Sequence, residues 1–282
     1  MRVRTIAALA LVVGSATAAW AQPQLSIKAD AGIIIDAATG IVLWEKNPDA
    51  KMFPASTTKI MTGLLLLENT SPTDQVIAPR DVTSVGESSM NLRPREKLTA
   101  SDLLTAIMLR SANDAAYTAA IHIAGSKEKF AAMMNERAAE LGCSSTHFMN
   151  PHGLHNESHY TSARDLAIMA RAAMHNEEFR AVVRQPASTI SRGDLREEEV
   201  SNRNRWLSLD SSADGIKTGY TKKAGRCFVG SATRNDWQVI TVQLHSPNWM
   251  ADQPRMVDWA FTSFAHAPTE LDAALGLELA AH

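Results

Sequence analysis

The chain has 282 residues, 45% hydrophobic and 21% charged, with 28 Lys and Arg against 30 Asp and Glu for a formal net charge of −2. Its length supports one large domain or two closely packed subdomains, each with a real core. The slightly acidic balance excludes nucleic acid as a partner and suits a small or neutral polymeric substrate.

Met1 to Ala21 sets Arg2 and Arg4 before the apolar run Ile6 to Val13 and closes on Ala19-Trp20-Ala21, with small residues at both positions that a signal peptidase inspects. This reads as a secretory signal peptide whose apolar core is too short for a spanning helix. Cleavage after Ala21 removes two arginines and no acid, taking the net charge to −4. The expected location is the periplasm or the extracellular face. Residues 22–265 are expected to form the functional domain and residues 266–282 a tail. In that tail Leu271, Leu275 and Leu279 recur at helical spacing, but the charged side chains are Glu270, Asp272 and Glu278. Anionic lipid would repel such a helix, so no stable membrane anchor is expected.

Gly32 to Ile35 and Ile41 to Trp44 are β-rich runs around Asp36-Ala37-Ala38-Thr39-Gly40, which predicts a hairpin whose loop ends in glycine. Next comes Phe53-Pro54-Ala55-Ser56-Thr57-Thr58-Lys59-Ile60-Met61-Thr62. Proline cannot sit inside a helix, so a helix is predicted to start at Ser56 and run to Leu67. Ser56 and Lys59 then lie one turn apart on one face, close enough for the amine to take the hydroxyl proton. The helix N-terminus offers backbone N–H groups to an anion developing beside Ser56, and its dipole disfavours a charged Lys59. A serine N-cap followed by a solvated lysine would give the same spacing without any function. Ser126-Lys127-Glu128-Lys129 repeats the pattern and reads as such an ordinary capped start.

Residues 70–95 read as loop around Ser84-Val85-Gly86-Glu87-Ser88-Ser89. Thr99-Ala100-Ser101-Asp102 caps a helix whose Leu103, Leu104, Ile107 and Met108 form a core stripe. Ser111-Ala112-Asn113-Asp114 breaks that pattern and starts another helix, Ala115 to Ala124. Further helices are predicted over Lys127 to Leu141 and, capped by Thr161 to Asp165, as far as His175, with Asn150-Pro151-His152-Gly153-Leu154 as the loop between them. Met133, Met134, Met169 and Met174 are assigned to core packing. Residues 187–214 read as exposed ribbon or loop. Strands follow at Gly215 to Gly219, Arg226 to Ala232 and Trp237 to Leu244, with a turn at Arg234-Asn235-Asp236, and Arg255 to Phe264 closes the chain as a helix. Strands at both ends and helices between them predict one sheet assembled from both termini with a helical subdomain inserted. Nothing in the sequence places Cys143 beside Cys227. His152, His155 and His159 match no usual zinc spacing, so neither metal nor cofactor is expected.

In chain order, Ser56-Thr57-Thr58-Lys59, Ser111-Ala112-Asn113 and Lys217-Thr218-Gly219 resemble the S-x-x-K, S-D-N and K-T-G signature of class A β-lactamases and penicillin-binding proteins, with alanine at the centre of the middle element. With Leu109 to Ala116, Asn150 to Leu154, Ser162 to Asp165 and Asp214 to Gly219 added, the stretch from Ala31 to Phe264 resembles the low-molecular-mass D-alanyl-D-alanine carboxypeptidases. The resemblance implies an α+β fold of the serine β-lactamase/transpeptidase type, an antiparallel sheet flanked by helices. Two departures stand out. Relatives often continue into a small β-rich domain and a basic amphipathic anchor, and they usually place glycine where this chain has Arg95.

Roles follow from the resemblance. Ser56 is the nucleophile, Lys59 its base, and Ser111 the relay to the leaving amine. Asn113 is expected to hold the substrate's backbone amide, and Lys217 and Thr218 its terminal carboxylate. Gly219 is expected to let the substrate lie against the strand edge, and the backbone N–H groups of Ser56 and Tyr220 to form the oxyanion hole. The implied substrates are peptidoglycan stem peptides, with β-lactams as covalent inhibitors. Three alternatives stay open: a DD-endopeptidase acting on D-alanyl cross-links, a class A β-lactamase, and a non-catalytic sensor of wall fragments or β-lactams. The E-x-x-L-N element that carries the lactamase's deacylating glutamate is not found between Ser111 and Lys217.

Overall fold

The computed structural model describes residues 24–193 and 196–264, so the expected signal peptide and tail lie outside the described residues. Strands β1 (Ala31–Asp36) and β2 (Val42–Lys46) form the expected hairpin, and Gly40 takes φ +81° in its loop. A 3₁₀ turn, Ala55–Thr58, leads into α1 (Lys59–Asn69). The α-helix therefore begins at Lys59, and Ser56 sits in the tighter turn ahead of it.

Strand β3 (Gln75–Ile77) pairs with β4 (Lys97–Thr99). Helix α2 (Ala100–Thr105), capped by the Thr99 side chain, continues as a π-helical turn over Ala106–Arg110. Helices α3 (Asn113–Ala124), α4 (Lys127–Glu140), α5 (Ala163–Met174) and α6 (Glu177–Val183) follow. Strands β5 (Ala187–Ser191) and β6 (Glu197–Ser201) make the expected ribbon. Strands β7 (Ala213–Thr221), β8 (Gly225–Arg234) and β9 (Trp237–Ser246) precede α7 (Trp249–Ser263). Asn235 and Asp236 both take positive φ in the β8–β9 turn, the requirement of a tight hairpin whose twist matches its strands.

Five strands form one antiparallel sheet in the order β2-β1-β9-β8-β7, with Ile33 opposite Val242 where the two ends of the chain meet. Alternation along the strands sends Ile33, Ile35, Val229, Ile240 and Val242 into the core shared with α1 and α5. Ile34, Phe228 and Val239 face the other way, into the core under α7. There Phe228 stacks on Trp249 with ring centroids 4.0 Å apart. Helices thus cover both faces, as the inserted-subdomain reading requires.

Several elements differ from expectation. β3 and β4 lie in or beside a stretch read as loop, and α6 was not anticipated. α7 starts well before Arg255 and runs through Pro254, because Trp249, Met256, Val257 and Ala260 anchor it to the sheet on both sides of the proline. Arg95 takes φ +67°, the left-handed conformation that glycine adopts at no steric cost. Cys143 and Cys227 are free thiols, each pushed up to about 12 chiefly by burial.

Candidate active site

Ala55 enters the nucleophile turn at φ +50°, and two hydroxyls close it: Thr57 Oγ1 donates to Pro54 O at 2.7 Å and Thr58 Oγ1 to Ala55 O at 2.8 Å. This leaves Ser56 Oγ 3.2 Å from Lys59 Nζ. Lys59 is fully buried, and its Nζ lies 2.7 Å from both Asn113 Oδ1 and the backbone oxygen of His152. Those two oxygens can only accept. A neutral amine has two hydrogens, which they consume, so its lone pair is left for the Ser56 hydroxyl, the one neighbour able to donate. Burial, and then the cations Lys217 and Arg203, hold Lys59 well below the usual lysine range.

Ser111 ends the π-helical turn in the left-handed conformation, φ +64°, and α3 starts immediately beyond it. Asn113 is 2% exposed and donates from Nδ2 to Gly86 O at 3.1 Å. Next to it the buried Asp114 carboxylate accepts from the backbone N–H of Met90 and Leu92 and from Ser89 Oγ. The loop over the cleft is thereby pinned to α3.

Lys217 is almost completely buried on β7, with Nζ 3.2 Å from Thr218 O. Burial and the cation of Arg203 bring it down to about 7. Gly219 lines the cleft and also packs against the Ser56 turn. A Cβ there would lie 3.0 Å from Ser56 N and 3.1 Å from both Pro54 O and Thr57 N, so the space beside it is filled by the nucleophile's own turn. Glycine allows β7 to close on that turn. Tyr220 is 63% exposed, with the Arg226 guanidinium 5.8 Å from its ring centre.

Ser56, Ser111, Asn113, Thr218, Gly219 and Tyr220 line one cleft of about 530 Å³, and Lys59 and Lys217 are buried beneath it. All eight residues singled out from the sequence therefore converge. The sequence reading missed Arg203, Arg205 and Arg226, which line the same cleft. Among the described residues the Arg203 side chain has no ion-pair or hydrogen-bond partner, and burial and neighbouring Arg110 lower its pKa. No local signal marks an arginine whose role is set by folding.

None of the three histidines lines that cleft; they pack instead against the segment from Phe53 to Lys59. Phe53 meets His155 edge to face. His152 and His159 are buried and are both lowered to about 3, mainly by desolvation. Asn150 locks this loop, its Oδ1 accepting from Gly153 N at 2.7 Å and its Nδ2 donating to Leu154 O at 2.9 Å.

A family model described as D-alanyl-D-alanine carboxypeptidase matches residues 16–248. The D-alanyl-D-alanine carboxypeptidase DacF of Bacillus subtilis (strain 168) is 34% identical over 253 residues, 87% of this chain and 65% of its own length. The chain thus spans less than two-thirds of that relative. Among solved structures, the Streptomyces K15 DD-transpeptidase matches with a TM-score of 0.80 at 30% identity, across 85% of this chain and 99% of that one. The D-alanyl-D-alanine carboxypeptidase from Mycobacterium tuberculosis H37Rv matches with a TM-score of 0.81 at 30% identity, across 89% and 96% respectively.

Proposed function

The chain belongs to the D-alanyl-D-alanine carboxypeptidase family, and from that premise we propose that it is an exported serine DD-carboxypeptidase removing the terminal D-alanine of peptidoglycan stem peptides. The observation that carries this reading is the Lys59 amine, buried between two acceptor-only oxygens with Ser56 Oγ 3.2 Å away.

Ser56 Oγ attacks the carbonyl carbon of the penultimate D-alanine while its proton passes to Lys59 Nζ. The backbone N–H groups of Ser56 and Tyr220 receive the developing oxyanion. The terminal carboxylate meets Lys217 and Thr218, joined by Arg203, whose unpartnered guanidinium suits an anion. As the C–N bond breaks, Ser111 relays the proton to the departing amine, leaving an ester on Ser56. Water, deprotonated by Lys59, then adds to that ester, and Ser56 regains its proton. Because Asn113 Oδ1 is taken by Lys59, the group it offers substrate is an N–H, which suits a substrate carbonyl.

The test is D-alanine release from a stem pentapeptide, run beside cleavage of purified cross-linked dimers. Faster release from the pentapeptide, abolished in Ser56→Ala, supports the proposal. Preferential cleavage of the dimers makes the enzyme an endopeptidase, and binding without release makes it a sensor. Labelled penicillin should persist on Ser56, whereas rapid turnover of benzylpenicillin would place the protein among the lactamases.

The likeness to a DD-transpeptidase favours one second reading, transfer of the acyl group to an amine. Adding an amino-acid acceptor and measuring the new amide bond against hydrolysis separates the two.

A further inference from the structure

We propose that His159 is a positioning residue which, acting through Thr58, fixes the direction of the Ser56 backbone N–H. The inference rests on the acyl-transfer reading above, in which that N–H is one of two oxyanion donors.

The peptide that joins Ala55 to Ser56 is a planar trans unit, so its C=O and N–H point in opposite directions. Whatever holds the Ala55 oxygen therefore aims the Ser56 N–H. The unit needs holding, because Ala55 has a left-handed φ of +50° that an L-residue with a Cβ adopts reluctantly.

The Ala55 oxygen accepts from Thr58 Oγ1 at 2.8 Å, and Thr58 Oγ1 lies 2.8 Å from His159 Nε2. His159 Nδ1 accepts from the Met149 backbone N–H at 3.0 Å. A neutral ring with Nδ1 accepting carries its hydrogen on Nε2, so Nε2–H donates to Thr58. A hydroxyl has one hydrogen. With its oxygen already receiving from His159, that hydrogen is directed at Ala55 O. The chain of donors runs one way, from Met149 N–H through His159 and Thr58 to the Ala55 carbonyl.

The backbone N–H of Thr58 closes the 3₁₀ turn on the same carbonyl, and among the described residues the Thr58 hydroxyl is the side chain that donates to it. Thr58 and His159 are 0% and 2% exposed. A Cβ on Gly153 would lie 1.8 Å from the Ala55 oxygen, so the carbonyl faces a closed wall with no room for a substituting water. His159 is absent from the cleft lining, so it acts on the oxyanion without touching substrate.

The test compares the full chain with His159→Leu, which removes the donor, and His159→Gln, whose amide can still donate to Thr58. Acylation by labelled penicillin, affinity for a peptide boronic acid that forms a tetrahedral adduct on Ser56, and kcat and KM for the pentapeptide are measured for each. For His159→Leu we expect acylation, boronate affinity and kcat to fall about 10- to 100-fold. That is somewhat less than the ~10²- to 10³-fold cost of deleting an oxyanion donor outright. KM should stay within about threefold, and His159→Gln should recover most of the loss. A folded His159→Leu protein with wild-type acylation overturns the proposal, as does one in which KM and kcat worsen together and Gln fails to rescue. Should His159→Leu not fold, Thr58→Val and Thr58→Ser take its place. The valine variant must lose acylation while the serine variant keeps it, and the absence of that difference also overturns the proposal. If the wild-type chain is not labelled at Ser56 at all, the acyl-transfer reading has failed.

Discussion

Lys59 has three polar neighbours and, uncharged, two hydrogens, a mismatch that leaves its lone pair to the Ser56 hydroxyl and supports the base role proposed above. Protonation supplies a third hydrogen and removes the lone pair. The sign of the pH dependence follows. Activity is full above the folded pKa of Lys59 and falls as pH drops through it, and because burial lowers that pKa the acid limb of kcat/KM should lie well below the ordinary lysine value of ~10.4. A limb at or above that value would show an unperturbed lysine. Lys59→Arg keeps the charge but cannot give up its proton, so acylation by labelled penicillin should fall by about 10²- to 10⁴-fold, with circular dichroism confirming the fold. The pairing of Ser56 with Lys59 was legible because three residues on a helical turn define a distance. Arg203 was not legible, since its place beside Lys59 and Lys217 exists only once β7 and the preceding segment have packed.

Two elements carry more than their sequences advertise. The loop from His147 to Tyr160 supplies the His152 oxygen to Lys59 and the Pro151 oxygen to Thr62, so it supports the base as well as the nucleophile turn. Its two buried histidines have folded pKa values of about 3 against 6.5 unfolded. Between those values the unfolded chain binds the extra protons, so stability is full above pH 6.5 and is lost as pH falls toward 3. The slope is up to ~1.4 kcal/mol per pH unit for each histidine. Urea midpoints measured from pH 7 to 4 should decline accordingly, and a His152→Asn/His159→Gln protein should decline less. β7 is the second element. Gly219→Ala should push the strand off the Ser56 turn, costing about 1–3 kcal/mol and slowing acylation with it. If that variant has weaker peptide binding but unchanged acylation, then substrate, and not the turn, needs the space.

The helix starts among these elements were readable because caps are local: Thr99, Ser126 and Ser162 each accept from the N–H three residues on. By contrast β3 and β4 are three residues long and polar in part, too short for a period to register. The start of α7 was hidden because Pro254 reads as a stop unless the sheet beneath is known.

At the scale of the whole molecule, packing accounts for the behaviour of the thiols, complete around Cys227 and partial around Cys143. Cys227 lies on the inner face of β8 and Cys143 just beyond α4, both pushed up to about 12. Neither should react with a thiol reagent at pH 8 in the folded protein, and both should on denaturation, so that two thiols per chain appear with the unfolding transition. One thiol appearing early would reveal a region that opens on its own. For location, no helix among the described residues is long and apolar enough to cross a membrane. Recovery of the processed protein in the soluble fraction after a mild salt wash is the expected result, and recovery mainly in the membrane pellet would reveal an anchor.

The pairing of Ile33 with Val242 also sets a timetable. The β1–β2 hairpin is synthesised well before its partner strand β9, with helices α1 to α6 made in between. Until then β1 has an unsatisfied edge and no sheet to join, and contacts so distant along the chain form slowly. Under the export proposed above, that delay leaves the chain without its closing strands, and so without a completed sheet, while it is still being moved.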